Sequence, residues 1–184
     1  MTEPDDIAAR AARIKLLVLD ADGVLTDGGL YYGPPLAEGD RAGDWVRFDI
    51  KDGMGVWRLR HIGCEVAIVS GRQCEAVRAR AVYLGVTEVQ QGVLDKVGAV
   101  RELAQARGLD LAEVAFMGDD LNDLEAMRIV GLPAAPADAV PEVQAVAAFV
   151  SSRDGGRGAV RELCELIIAA HAEAAERADG ADWD

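Results

Sequence analysis

Asp20 and Asp22 stand two residues apart, directly after the apolar run Leu16-Leu17-Val18-Leu19. A carboxylate at the mouth of a buried strand is costly, and without compensation its pKa rises until it protonates. The pair therefore calls for a cation and for a reaction that uses both groups. Phosphoryl transfer is such a reaction. Asp20 can attack phosphorus through a carboxylate oxygen, which splits one hard step into two, and Asp22 can protonate the leaving oxygen and later take a proton from water. Ser70 follows the apolar run Val66–Val69, and its hydroxyl and nearby backbone N–H groups can bond phosphate oxygens. Lys96 can neutralise the phosphoryl group. Asp119, Asp120 and Asp123 follow a third run, Val114–Met117. Together with Asp20 and Asp22 they would crowd carboxylates at one edge. Mg²⁺ answers that crowding, because it accepts hard oxygen ligands and keeps places for phosphate and water. The expected inner ligands are Asp20, the backbone carbonyl of Asp22, and Asp119, with Asp120 and Asp123 outside them.

The elements that must position these groups are legible in the hydropathy pattern. None of the three apolar runs alternates with polar residues, so each reads as a strand covered on both faces, as in a parallel sheet. Between and after them lie helical spacings: Cys74, Val77, Ala81 and Leu84; Val97, Val100 and Ala104; and Val160, Leu163, Cys164, Ile167 and Ile168. Alternating strand and helix predicts an α/β fold, a three-layer Rossmann-like parallel sheet with helices on both faces and the site at the carboxyl strand ends. One segment breaks the alternation. Residues from about 28 to 50 read as a β-hairpin flap, with Val46, Phe48 and Ile50 alternating with Arg47, Asp49 and Lys51, and with a Pro- and acid-rich loop from Pro34 to Asp44. No large cap domain fits in the chain. Residues 1–184 are expected to form one domain, ending in a disordered tail from about 173 to 184.

Four motifs in this order resemble the haloacid dehalogenase superfamily of phosphohydrolases: Asp20-Ala21-Asp22-Gly23-Val24, Ser70, Lys96, and Gly118-Asp119-Asp120-Leu121-Asn122-Asp123. Further segments are similar to the capless 3-deoxy-manno-octulosonate 8-phosphate phosphatases. These are the flap followed by Ile50-Lys51-Asp52-Gly53-Met54-Gly55, the turn Ser70-Gly71-Arg72, and the run Gly155–Glu162 before the last helix. The resemblance implies a phosphorylated sugar acid as substrate, with Lys51, Asp52, Gly53, Gly71, Arg72, Arg80 and Arg157 as substrate-binding residues. The guanidiniums and the ammonium suit a ligand with both carboxylate and phosphate. It also implies a homotetramer in which hairpins associate and Arg157 reaches a neighbouring site. The chain departs from those enzymes at Trp57, where they carry a basic residue, and in its acidic flap loop. Phosphates of nine-carbon keto acids therefore stay open beside the octulosonate.

The charge balance narrows the partners. A formal net charge of −13 disfavours nucleic acid and an anionic membrane surface. No basic segment leads into an apolar one and no long apolar run occurs, so a cytoplasmic protein is expected. Three cysteines without CxxC spacing fit reduced, packed thiols. Among rival functions, a dehalogenase would not need an acid at position 22, and a phosphomutase would need a cap to exclude water. A receiver-like or structural subunit would place its phosphoacceptor after the third strand.

Overall fold

The computed structural model describes residues 4–32 and 44–180. Its centre is a six-stranded sheet in the order β5-β4-β1-β6-β7-β8, parallel throughout. The strands are β1 (Leu16–Leu19), β4 (Glu65–Ser70), β5 (Glu88–Gln91), β6 (Val114–Met117), β7 (Leu132–Ala135) and β8 (Phe149–Val150). The three expected strands are the three at the middle of this order, β4, β1 and β6. Successive side chains of a strand point to opposite faces, and β1 shows it. Leu17 and Leu19 join one apolar cluster, whereas Leu16 and Val18 join the other.

Each cluster is closed by its own helices. Against Leu17 and Leu19 lie α1 (Pro4–Ala11), α2 (Ile50–His61), α3 (Glu75–Leu84) and α7 (Ala159–Gly180), through residues such as Val56, Leu59, Val77, Leu163 and Ile167. Against Leu16 and Val18 lie α4 (Lys96–Ala106), α5 (Leu124–Ile129) and α6 (Pro141–Val146), through Val100, Leu103, Met127 and Val143. Cys64, Cys74 and Cys164 are all buried and unpaired, and burial pushes the Cys64 thiol up to about 12.

The flap is shorter in strand than its alternation suggests. Tyr31–Tyr32 (β2) pairs antiparallel with Asp44–Trp45 (β3), and a single bridge joins Thr26 to Phe48 at its base. The expected loop lies outside the described residues apart from the backbone of Asp44. Ile50 does not continue a strand. Asp49 accepts a hydrogen bond from the Lys51 N–H at 2.8 Å and so caps α2, which begins at Ile50. Of the tail expected from about 173 to 184, the part up to Gly180 is helical as the end of α7, and 181–184 lie outside the described residues. Ala, Glu and Arg are strong helix formers, and Arg177 pairs with Glu173 one turn back.

Leu163 is fully buried where α7 packs along α2. Leu163→Ala is expected to cost about 2–5 kcal/mol of unfolding free energy, read from the urea midpoint.

Candidate active site

The carboxyl ends of β1, β4 and β6 open into a pocket of ≈ 480 Å³. Its walls include Asp20, Asp22, Ser70, Gly71, Arg72, Asp119 and Asp120. Asp20 extends the ladder beyond β1, its N–H donating to the Met117 carbonyl at 3.0 Å, which fixes the carboxylate at the sheet edge. The chain then turns through Ala21–Leu25, where Asp22 and Gly23 leave helical angles. Gly23 has φ +78°, and a Cβ there would come within 1.9 Å of an Asp119 carboxylate oxygen, so only glycine lets the first and fourth motifs close together.

Lys96 is the hub. Asp95 caps α4 through the Gly98 N–H at 2.9 Å, which sets Lys96 as the first helical residue. Its ammonium, 3 % exposed, lies 3.1 Å from Asp20 Oδ1 and 2.5 Å from Asp123 Oδ1. The other Asp123 oxygen accepts from the Asp119 N–H at 3.0 Å and the Asp120 N–H at 3.4 Å. Asp123 thus anchors the loop after β6 to Lys96. Burial would lower the lysine pKa, but the two carboxylates outweigh it and hold the ammonium charged.

The acids pay for this crowding. Burial, followed by repulsion from Asp123, raises Asp20 to about 7 against the pull of Lys96. Burial and the charges of Asp20, Asp123 and Asp120 raise Asp119 to about 8. Oxygens of Asp20, Asp119 and Asp123 all lie within 4.8 Å of one another, a set that fits a hard divalent cation. Because Asp123 already serves Lys96 and two N–H groups, Asp20 and Asp119 are the acids with capacity to spare.

Of the other expected residues, Asp22 faces Arg72 in a two-pronged pair, Nε to Oδ2 at 2.7 Å and Nη2 to Oδ1 at 2.5 Å. Ser70 shapes the turn beneath it, its hydroxyl donating to the Arg72 carbonyl at 3.1 Å and accepting from the Arg72 N–H at 3.3 Å. Asp120 caps the next turn, accepting from the Leu121 N–H at 2.7 Å.

The remaining substrate-binding expectations are not brought to this pocket within one chain. Asp52 is buried and bonds the Gly158 and Arg161 N–H groups, so it has no oxygen free for a ligand. Gly53 is covered by Arg80 and Leu84. Arg80 donates to the Asp49 carbonyl at 3.0 Å and lies over Phe48 and Tyr83. Lys51 and Arg157 line a separate cleft with Arg153 and Arg161, and Arg157 pairs with Asp27 at 3.2 Å. Sequence alone orders these segments along the chain but does not tell which side of a helix start faces the sheet edge. Asn122, Gly28 and Leu94 also line the pocket. Asn122 went without a role although its place in the Gly118–Asp123 motif was a usable signal.

The chain is similar to known proteins in both sequence and fold. A profile of haloacid dehalogenase-like hydrolases matches residues 83–163. The 3-deoxy-D-manno-octulosonate 8-phosphate phosphatase KdsC of Yersinia pestis is 41% identical over 166 residues, 90% of this chain and 86% of its own. The structure of the 3-deoxy-D-manno-octulosonate 8-phosphate phosphatase of Moraxella catarrhalis, in complex with magnesium ion, phosphate ion and KDO, matches with a TM-score of 0.85 at 35% identity, covering 91% of this chain and 93% of that one. The cobalt-bound deoxy-D-mannose-octulosonate 8-phosphate phosphatase of Haemophilus influenzae matches with a TM-score of 0.81 at 35% identity, covering 89% and 92%.

The raised acids set a pH signature. Between the ordinary value of 3.8 and about 7 for Asp20, or about 8 for Asp119, the metal-free fold holds protons that the unfolded chain has released. Their contribution therefore makes stability fall as pH rises through that window. Mg²⁺ requires the deprotonated cluster. Differential scanning calorimetry is expected to show a larger Mg²⁺-induced rise in Tm at about pH 9 than at about pH 5, and an unchanged Tm at both would count against the metal site.

Proposed function

Because the chain belongs to the haloacid dehalogenase-like hydrolases, and within them to the 3-deoxy-D-manno-octulosonate 8-phosphate phosphatases, we propose that it hydrolyses the phosphomonoester of that eight-carbon sugar acid. The observation that carries the reading is Asp20, 5 % exposed at the end of β1, in an ion pair with Lys96 and beside Asp119.

The reaction follows from the residues. An Asp20 carboxylate oxygen attacks phosphorus, the ester P–O bond breaks, and the departing sugar oxygen takes the proton carried by Asp22. Asp22, now a carboxylate, removes a proton from water as the water oxygen attacks the aspartyl-phosphate, which releases inorganic phosphate and restores Asp20. Lys96 balances charge on the phosphoryl oxygens, and Ser70 with the turn N–H groups donates to them. Asp20, Asp119 and the backbone carbonyl of Asp22 would hold Mg²⁺, with Asp120 and Asp123 orienting that set. When bound, Mg²⁺ offsets the clustered acids and polarises the phosphoryl group. Arg72 and Gly71 at the mouth meet the sugar acid. Arg72, which pairs with Asp22 before substrate enters, would exchange that pair for the carboxylate of the sugar acid and leave Asp22 to carry the proton.

The proposal includes a homotetramer, with the reaction in the cytoplasm. Tyr31, Tyr32 and Trp45 of the flap are all exposed, which suits burial between copies, and unpaired cysteines suit a reducing compartment. In such an assembly Arg157 would reach a neighbouring site.

Asp20→Asn is expected to lower phosphate release by about a hundredfold or more with the fold retained. A phosphate-release screen over eight- and nine-carbon keto acid phosphates and ordinary sugar phosphates tests the substrate, and faster turnover of the ordinary sugar phosphates would overturn it. Sedimentation is expected to show a tetramer at micromolar concentration, whereas a monomer would remove the role of Arg157 in a neighbouring site.

A further inference from the structure

Asp52 sits in the first turn of α2 and is 1 % exposed. Its Oδ1 accepts from the Arg161 N–H at 2.8 Å and its Oδ2 from the Gly158 N–H at 3.2 Å. Both donors belong to the start of α7, where N–H groups have no partner inside the helix. Burial raises this carboxyl above its ordinary value while the two N–H groups pull it back, so its presence carries a cost that the bonds must offset.

The start of α7 is reached through the turn Gly155–Gly158, and that turn lies directly behind the catalytic loop. The Gly156 N–H donates to the Val24 carbonyl at 2.9 Å. A Cβ on Gly155 would lie 1.7 Å from the Gly23 carbonyl oxygen, so the two backbones are in contact. The Gly155 N–H is held in turn by Asp138 Oδ1 at 2.9 Å. On the outer side, Arg47 donates to the Gly156 carbonyl at 2.7 Å and Arg157 pairs with Asp27 at 3.2 Å. Asp22 and Gly23 have non-helical angles and lie beyond Asp20, where the ladder ends, so no sheet ladder fixes them. Arg72 holds the Asp22 side chain, and the turn packed behind holds the backbone of this loop.

We infer that Asp52 is a positioning residue for Asp22, acting through the start of α7 and the Gly155–Gly158 turn. The inference rests on the phosphatase reading above, in which Asp22 gives its proton to the leaving oxygen. Asn at position 52 keeps one carbonyl oxygen but turns an NH₂ group toward an N–H donor. One of the two bonds is then lost and the turn is released from its support.

The test separates positioning from bulk stability through the leaving group. An alcohol leaves with a proton from Asp22, whereas p-nitrophenolate leaves without one. Single-turnover experiments with enzyme in excess read only the step that expels the leaving group. Asp52→Asn is expected to slow expulsion of the sugar alcohol about tenfold or more, and of p-nitrophenolate by less than about threefold. Should Asp52→Asn fail to fold, Asp138→Ala at an exposed position loosens the same turn and is expected to show the same selectivity in weaker form. Equal losses on both esters, or no loss on the alcohol ester, would overturn the inference. Failure of the reading beneath it looks different: the unaltered enzyme would release no phosphate, or Asp22→Asn would slow both expulsions alike.

Discussion

The ammonium of Lys96 is what the site depends on. It is buried between Asp20 at the end of β1 and Asp123 after β6, and it is the group that lets three acids approach within 4.8 Å of one another. A lone lysine at that depth would lose its proton, and lone acids would gain one. The acids keep Lys96 charged, and Lys96 draws Asp20 and Asp119 part of the way back toward the ionised form. The balance is incomplete, since Asp20 and Asp119 remain raised to about 7 and about 8 with Lys96 in place. One cation does not satisfy the cluster, and the shortfall is the electrostatic case for a divalent metal.

Around that ion group the fold is a device for bringing strand ends together. The parallel order puts β4, β1 and β6 side by side, so that Ser70, Asp20 and Asp119 emerge from neighbouring strands on one edge. The helices on one face supply Lys96, and those on the other supply the supports behind Asp22. Asp52 shows how the second set works, because it spends both oxygens on the start of α7 rather than on a ligand.

Much of this was legible in the residues. β1, β4 and β6 are unbroken apolar runs, and such runs mark strands covered on both faces. The chemistry-bearing groups stand within two residues of the ends of those runs, so the grouping of Asp20, Ser70 and Asp119 at one sheet edge is legible from the residues alone. Other elements carried weaker signals. Glu88–Gln91 is half-buried and polar at the sheet edge, and Leu132–Ala135 contains Pro133, which reads as a breaker. The periodicity of Val46, Phe48 and Ile50 ran past the point where Asp49 caps a helix. The inward or outward direction of Asp52 and Arg80 depends on how α2 packs on α7 and α3, which no local pattern encodes.

The ladder bond from the Asp20 N–H to the Met117 carbonyl has a consequence for how this chain can change. Asp20 is the next residue in the alternation that sends Leu17 and Leu19 to one layer and Leu16 and Val18 to the other. Its coordinates are therefore those of the sheet, with no flexible segment between. A change in side-chain volume under β1, in either layer, shifts the Asp20 carboxylate as well as the packing.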